Sequence, residues 1–339
     1  MSLTTIPEEQ GVTTSQTHRD RVESCGTKVP ITATRVRAYY DKAARTYEHA
    51  HYGGGSTAYP ANRIRLKKAL GMLVKEQESL GRPLRVLDVG CGTGILVRGA
   101  RLQGMDATGF DFSTEMVTEA KGSLMPDTEV VWQGDAEDPA AYPLDRQGQG
   151  NQDAVVCLGV VPHNSKLGTL LGNFARVLRP GGLLLVEHRN RLFSLITANQ
   201  YSVDFMFDLL NRTHVLTRDP RPDREQALRG ASEAFYAGMF GAEGRDSFEK
   251  SGYGDITRFD NPLELQGRYE YHGFRWEQPI WYHFHAGPPA VEHVDPEMYR
   301  ELSLAMEDRY DRDWPGMFLA SAFVAVARKA RNASNPPQN

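Results

Sequence analysis

Val86-Leu87-Asp88-Val89-Gly90-Cys91-Gly92-Thr93-Gly94 is an apolar strand running into a turn where three glycines alternate with small residues. Glycine lets the backbone take positive φ and lie close against a ligand with no Cβ in the way, so the turn marks a ligand site. A dinucleotide-binding turn reads G-x-G-x-x-G/A, with the pyrophosphate on the following helix N-terminus. Here the third glycine is Gly94, and the branched Ile95 stands where that pattern needs Gly or Ala. Asp88, just before the turn, would repel a pyrophosphate but can accept hydrogen bonds from an ammonium. These residues point to a zwitterionic ligand rather than a phosphorylated one.

The neighbouring segments extend the same edge. Ala107–Asp111 is a short strand ending in an acid about 20 residues past the turn, the separation at which a carboxylate binds both hydroxyls of a ribose. A third strand over 129–133 ends in Gly134-Asp135-Ala136, where Asp135 can accept from an exocyclic adenine amine. A fourth, Asp153–Gly159, leads into Val160-Val161-Pro162-His163, and Arg179-Pro180-Gly181-Gly182 turns into a fifth, Leu183–Glu187. Strands alternating with helical patterns imply a parallel sheet. A single acid after a strand is often a helix cap or a turn residue. Acids at successive strand ends on one sheet edge are not explained that way, and open parallel sheets bind ligands at that edge.

From about Leu84 to Glu187 the chain resembles the class I S-adenosylmethionine-dependent methyltransferases. The resemblance implies an α/β fold: a Rossmann-like, doubly wound sheet, mostly parallel, with an antiparallel last strand matching Phe318–Ala327 and a sixth strand after Gly273-Phe274. It implies S-adenosyl-L-methionine as cofactor, with Asp88, Gly90, Gly92 and Gly94 at the methionine part, Asp111 at the ribose, and Asp135 with Ala136 at the adenine. Phe112 and Leu158 are added as cofactor contacts. Tyr-rich N-terminal helices of such enzymes further suggest Tyr40 and Arg63 as cofactor contacts, and Tyr47 and Tyr59 as contacts to substrate; amphipathic packing is the competing explanation for the tyrosines.

At 339 residues and net charge −4 the chain suits one large α/β domain with an insertion. No window approaches a membrane span, and the first residues lack a signal-peptide pattern, so a cytoplasmic enzyme is expected. Cys25, Cys91 and Cys157 suggest reduced thiols rather than a disulfide framework. The mild acidity speaks against nucleic acid as a partner, and the basic Arg35, Arg37, Arg63, Arg65, Lys67 and Lys68 are read as solvated helix faces. The expected organisation is a polar disordered tail over 1–29, a helical cap over 30–80, the cofactor-binding core over 81–189, a lid over 190–258, completion of the sheet over 259–330, and a second tail over 331–339. In the cap, Val36, Tyr40, Ala43, Tyr47 and Ala50 recur at helical spacing before Gly53-Gly54-Gly55, and a second helix begins near Pro60. The lid is read as helical from Asp204–Leu210 and Ala234–Phe240, and closes over the acceptor.

Methyl transfer from a sulfonium needs the nucleophile in line, little water, and for a hydroxyl a base. His163 lies just after the fourth strand, and imidazole titrates near neutral pH, so it is the first candidate base; Pro162–Ser165 could equally open the next helix, with Asn164 or Ser165 as cap. Glu187 and His188 end the fifth strand and are further candidates. His283 and His285 share a strand face, with His293 nearby; a metal is discounted for want of a Cys or carboxylate at ligand spacing, leaving contacts to an anionic or sugar-like substrate. The expected function is methylation of an O, N or C atom of a small secondary-metabolite or sugar-like acceptor. Two alternatives stay open: aminocarboxypropyl transfer or cyclisation releasing methylthioadenosine, and a non-catalytic cofactor-binding subunit.

Overall fold

The computed structural model describes residues 33–53, 59–164, 166–212, 221–239 and 258–331. The tail over 1–29, Cys25, Gly54, Gly55, Ser165, Phe240 and all but Arg331 of the second tail lie outside the described residues.

The glycine turn follows β1 (Arg85–Val89), which sits inside a seven-stranded sheet of order β3-β2-β1-β4-β5-β7-β6. The other strands are β2 (Asp106–Asp111), β3 (Val131–Gln133), β4 (Gln152–Cys157), β5 (Leu178–Arg189), β6 (Phe274–Phe284) and β7 (Ala320–Lys329). β1 to β5 pair in parallel, and β7 runs antiparallel between β5 and β6. The expected doubly wound sheet with an antiparallel last strand is therefore present.

Helices cover both faces, because each strand alternates its side chains between them. On one face α2 (Ala61–Leu80), α3 (Ile95–Leu102) and α4 (Thr114–Ser123) pack on Val86, Ala107, Ala154, Leu183 and Leu185. On the other, α5 (Leu167–Val177) and α8 (Pro262–Tyr271) pack on Leu87, Phe110, Val155, Leu184 and Val186. Before these comes α1 (Ala33–Tyr52), which ends before Gly53 as the spacing predicts and buries Val36 and Ala44, although Ala50 is exposed. α6 (Gln200–Arg212) and α7 (Pro222–Met239) stand where the lid is expected; α6 buries Val203, Phe205 and Phe207, whereas no described residue of α7 is buried. α9 (Pro296–Arg309) packs on β6. Among the described residues no helix is long and apolar enough to cross a membrane.

Two local expectations need correction. Glu129 and Val130 form a 3-10 turn, and β3 begins only at Val131. Arg179-Pro180-Gly181-Gly182 is not a turn ahead of β5 but an irregularity inside it: the pairing with β4 jumps from Gln152↔Leu178 to Ala154↔Leu183, with Gly181 at φ +80°. The buried Asp153 holds this bulge, accepting from Arg179, from both terminal nitrogens of Arg82 (2.7 Å each) and from the Arg85 amide (2.9 Å).

Candidate active site

Strand parity decides what reaches the site. Val86, Ala107, Leu183 and Leu185 all face α2, so Asp88, Asp111 and Glu187, an even number of residues further on, lie on that same face at the carboxyl edge of β1, β2 and β5.

Asp88 is 4% exposed. Burial, reinforced by the nearby Asp111 and only partly offset by Arg65, pushes its carboxyl up to about 7. Asp111 is also raised by burial, against hydrogen bonds from the Ser113 and Gly92 amides at 2.9 Å each. The three glycines differ in purpose. Gly90 and Gly94 serve packing: a Cβ on Gly90 would stand 2.2 Å from Val160, and one on Gly94 3.2 Å from Ala120 and Leu124. Gly92, at φ +53°, faces open space, with nothing within 4 Å of its Cβ position. The cradle thus opens at Gly92, beside two buried carboxyls. Asp135 stands exposed beyond β3, its carboxylate accepting from the Glu137 amide (2.9 Å). The carbonyl of Ala136 is fixed by Tyr142 (2.7 Å) and Asn173 (3.1 Å). Leu158 and Phe112 are half-buried at the ends of β4 and β2.

α1 is fastened across this edge. Arg37 donates to the Phe112 carbonyl (2.9 and 2.5 Å), Ser113 to Asp41 (2.5 Å), and the Tyr40 hydroxyl lies 3.2 Å from His163 Nε2. Tyr40 meets both Phe112 and His163 edge-on, with ring centroids 6.4 and 5.9 Å apart. Burial, with Tyr47 beside it, raises the Tyr40 phenol, so it stays protonated. His163 itself stands on a 3-10 turn between β4 and α5, not on the helix. Asn164 accepts from the Lys166 amide (2.6 Å) just before α5 begins.

The arginine of α2 that enters the site is Arg65, not Arg63. Arg63 is exposed, while Arg65 is buried, pairs with Glu187 and donates to Tyr52 (3.2 Å). Its Nη1 lies 3.5 Å from the Cβ position of Gly159, and its Nε is buried with no hydrogen-bond partner. Reading Arg65 as part of a solvated face is therefore overturned. Lys68 is likewise committed, to Asp311 (2.9 Å) and the Glu307 carbonyl (2.8 Å). The sequence held the signal: Arg65, Ala69, Leu73 and Glu76 recur every three or four residues and form the buried stripe of α2.

Burial alone would raise the Glu187 carboxyl, but Arg65 and Arg189, with a hydrogen bond from Tyr282 (2.5 Å), hold it below the usual range. It is an ion-pair partner here rather than a ready base. His188, one residue on, points to the opposite face. It is 0% exposed, stacked on Phe323, with Nδ1 2.7 Å from Asp260 and Nε2 2.8 Å from Tyr269. Both ring nitrogens are occupied within the α8-side core, so the expectation of a catalytic His188 is withdrawn.

Tyr47 lies 6.0 Å from Tyr40, ring to ring, on the site face of α1. Tyr59 stacks on His283 (5.0 Å) and donates to Glu307 (2.5 Å), and His285 contacts Ser321 (3.1 Å); these three side chains line the β6–β7 end of the same edge. Among the described residues no three His, Cys, Asp or Glu side chains gather as metal ligands.

The methyltransferase-domain family matches residues 87–186. A ubiquinone biosynthesis O-methyltransferase of Dechloromonas aromatica (strain RCB) is 30% identical over 143 residues, 42% of this chain and 56% of that protein. One of the same name from Aromatoleum aromaticum is 30% identical over 139 residues, 41% of this chain and 58% of that protein. The chain thus spans little more than half the length of these curated relatives. An S-adenosylmethionine-dependent methyltransferase structure from Archaeoglobus fulgidus is 16% identical with a TM-score of 0.44, covering 84% of this chain and 99% of that one. The family match runs from β1 into β5, the stretch that carries Asp88, Asp111, His163 and the glycine cradle, so a methyltransferase domain is matched over this core of the chain.

Proposed function

We propose that the chain binds S-adenosyl-L-methionine along the β3-β2-β1-β4 edge and methylates a small-molecule acceptor. The observation that carries this is the open Gly92 cradle set between the buried carboxyls of Asp88 and Asp111. The residues fit a zwitterionic sulfonium nucleoside. Asp88 accepts from its ammonium, Asp111 from both ribose hydroxyls, and Asp135 from the adenine amine, with Ala136, Phe112 and Leu158 against the ring. Arg65, close to Asp88 and with a buried unpartnered Nε, takes the carboxylate in place of the expected Arg63. When bound, the cofactor supplies an electrophilic methyl group.

The chain's own residues do the rest. Tyr40, Tyr47 and the lid helices exclude water, and His163 takes the acceptor proton through the nitrogen that Tyr40 otherwise contacts. The names of the curated relatives support oxygen as the acceptor atom.

Calorimetry with S-adenosylmethionine, S-adenosylhomocysteine and NADH tests the binding half: the two sulfur nucleosides should bind and NADH should not. Mass spectrometry of turnover products tests the rest. S-adenosylhomocysteine is expected, and methylthioadenosine would replace this reading with the non-methyl alternative.

A further inference from the structure

Tyr282 and Glu187 meet across the sheet. Tyr282 stands on β6, with β7 between it and β5, and its partner on β7 is Ala322, whose single methyl leaves the ring room to reach the Glu187 carboxylate. Both residues are buried. Tyr282 donates to Oε1 of Glu187 (2.5 Å), while Oε2 accepts from Nη1 of Arg65. Burial, with the Glu187 carboxylate beside it, raises the Tyr282 phenol, so the hydroxyl keeps its proton. Carboxylates beside arginine often take two parallel N–H bonds. Here the second oxygen is engaged by Tyr282, and Glu187 touches the guanidinium with one oxygen only.

A guanidinium carries five N–H donors in one rigid plane, and Nε and Nη2 share the edge turned away from Nη1. On that edge Nη2 has the Tyr52 hydroxyl alone (3.2 Å), and Nε is buried with no hydrogen-bond partner. A bare buried donor on a charged group is costly, and it marks a place that a ligand completes. The guanidinium stands just past β4, where Gly159, at φ +82°, has no side chain: its Cβ position is 3.5 Å from Nη1 of Arg65 and 4.0 Å from Oε2 of Glu187. The charge of Arg65 reaches Asp88, Tyr40 and Tyr47, so its free edge belongs to the same site as the glycine cradle. We propose that Tyr282 and Glu187 are positioning residues, which turn the edge of Arg65 formed by Nε and Nη2 toward the carboxylate of S-adenosylmethionine. This rests on the methyltransferase reading above. The β6 hydroxyl acts at two removes from the ligand: it occupies one oxygen of Glu187, Glu187 then holds Nη1 alone, and the fork left over matches a planar carboxylate. With that hydroxyl gone, both oxygens of Glu187 are free to take the guanidinium and rotate it off the ligand.

S-adenosylmethionine and its decarboxylated form share sulfonium, nucleoside and ammonium and differ in the carboxylate, and calorimetry reads the affinity of each. The unaltered protein should prefer S-adenosylmethionine by at least about tenfold. Tyr282→Phe keeps the ring, the ion pair and the core; it should cut that preference by about fivefold and leave affinity for the decarboxylated form unchanged. Glu187→Gln keeps an acceptor for Nη1 and should retain most of the preference. An undiminished preference in Tyr282→Phe, equal losses for both ligands there, or a preference lost in Glu187→Gln would overturn the proposal. Equal affinities in the unaltered protein remove Arg65 as the carboxylate partner and this inference with it, whereas binding of neither ligand sinks the methyltransferase reading itself.

Discussion

In the proposed function Asp88 is the side chain that accepts from the cofactor's ammonium, and its burial gives that role a pH dependence. With a carboxyl near 7 in the folded protein, it is about half protonated at neutrality. An ammonium binds the ionised form, so cofactor affinity should be level above about pH 8 and fall by roughly tenfold per unit below about pH 6, with protons released on binding near pH 7. Calorimetry in buffers of different ionisation heat reads that release; the absence of any buffer dependence would count against Asp88. Since its folded value lies above the unfolded one, Asp88 favours folding at low pH and costs stability as pH rises through 4 to 7; Asp88→Asn should therefore raise Tm at pH 8 while removing cofactor binding. The glycines separate in the same way. Gly92→Ala adds only the strain of positive φ, about 1–2 kcal/mol, and should leave a folded protein that no longer binds cofactor. Gly90→Ala drives a methyl into Val160 and should cost about 3 kcal/mol, seen as a clear drop in Tm.

Each element carries these residues with a different degree of legibility. β1 and β2 could be read outright, because each is a short apolar run with an acid at or next to its carboxyl end, followed by a glycine turn or a capped helix. The contrast between Glu187 and His188 on β5 was open to the same alternation rule, which sends adjacent residues to opposite faces and so sends one of them to Tyr269 and Asp260. The β5 bulge was not legible: Pro-Gly-Gly satisfies a turn and a bulge equally, and only the pairing with β4 separates them. Asp153, which holds that bulge, is kept down at about 2 by hydrogen bonds from Arg82, Arg85 and Arg179 that outweigh its burial. Its contribution is present above about pH 4 and lost as pH falls from 4 to 2. Asp153→Asn should lower unfolding stability by about 2 kcal/mol at pH 7 and flatten the acid limb of the denaturation profile. On the turn after β4, His163→Ala should lower kcat by about a hundredfold, with cofactor affinity intact; unchanged turnover would remove His163 as the base.

For the whole molecule, the α/β architecture was legible because helical and strand periods alternate in order along the chain. The cover over the site was only half legible. Helical spacing gave α1 and α2, but Arg65 needs the burial stripe of α2 to distinguish it from Arg63, and His283, at φ +61°, owes its direction to one backbone angle that no side-chain pattern encodes. A single stretch of α1, Arg37 to Asp41, touches both the corner at Phe112 and Ser113 and His163. One helix turn therefore borders both the proposed nucleoside position and the proposed base, and an ordered sequence, nucleoside in first and out last, is the expected outcome. Steady-state product inhibition should show S-adenosylhomocysteine competing with its parent but not with the acceptor, the signature of one wall shared by two rooms.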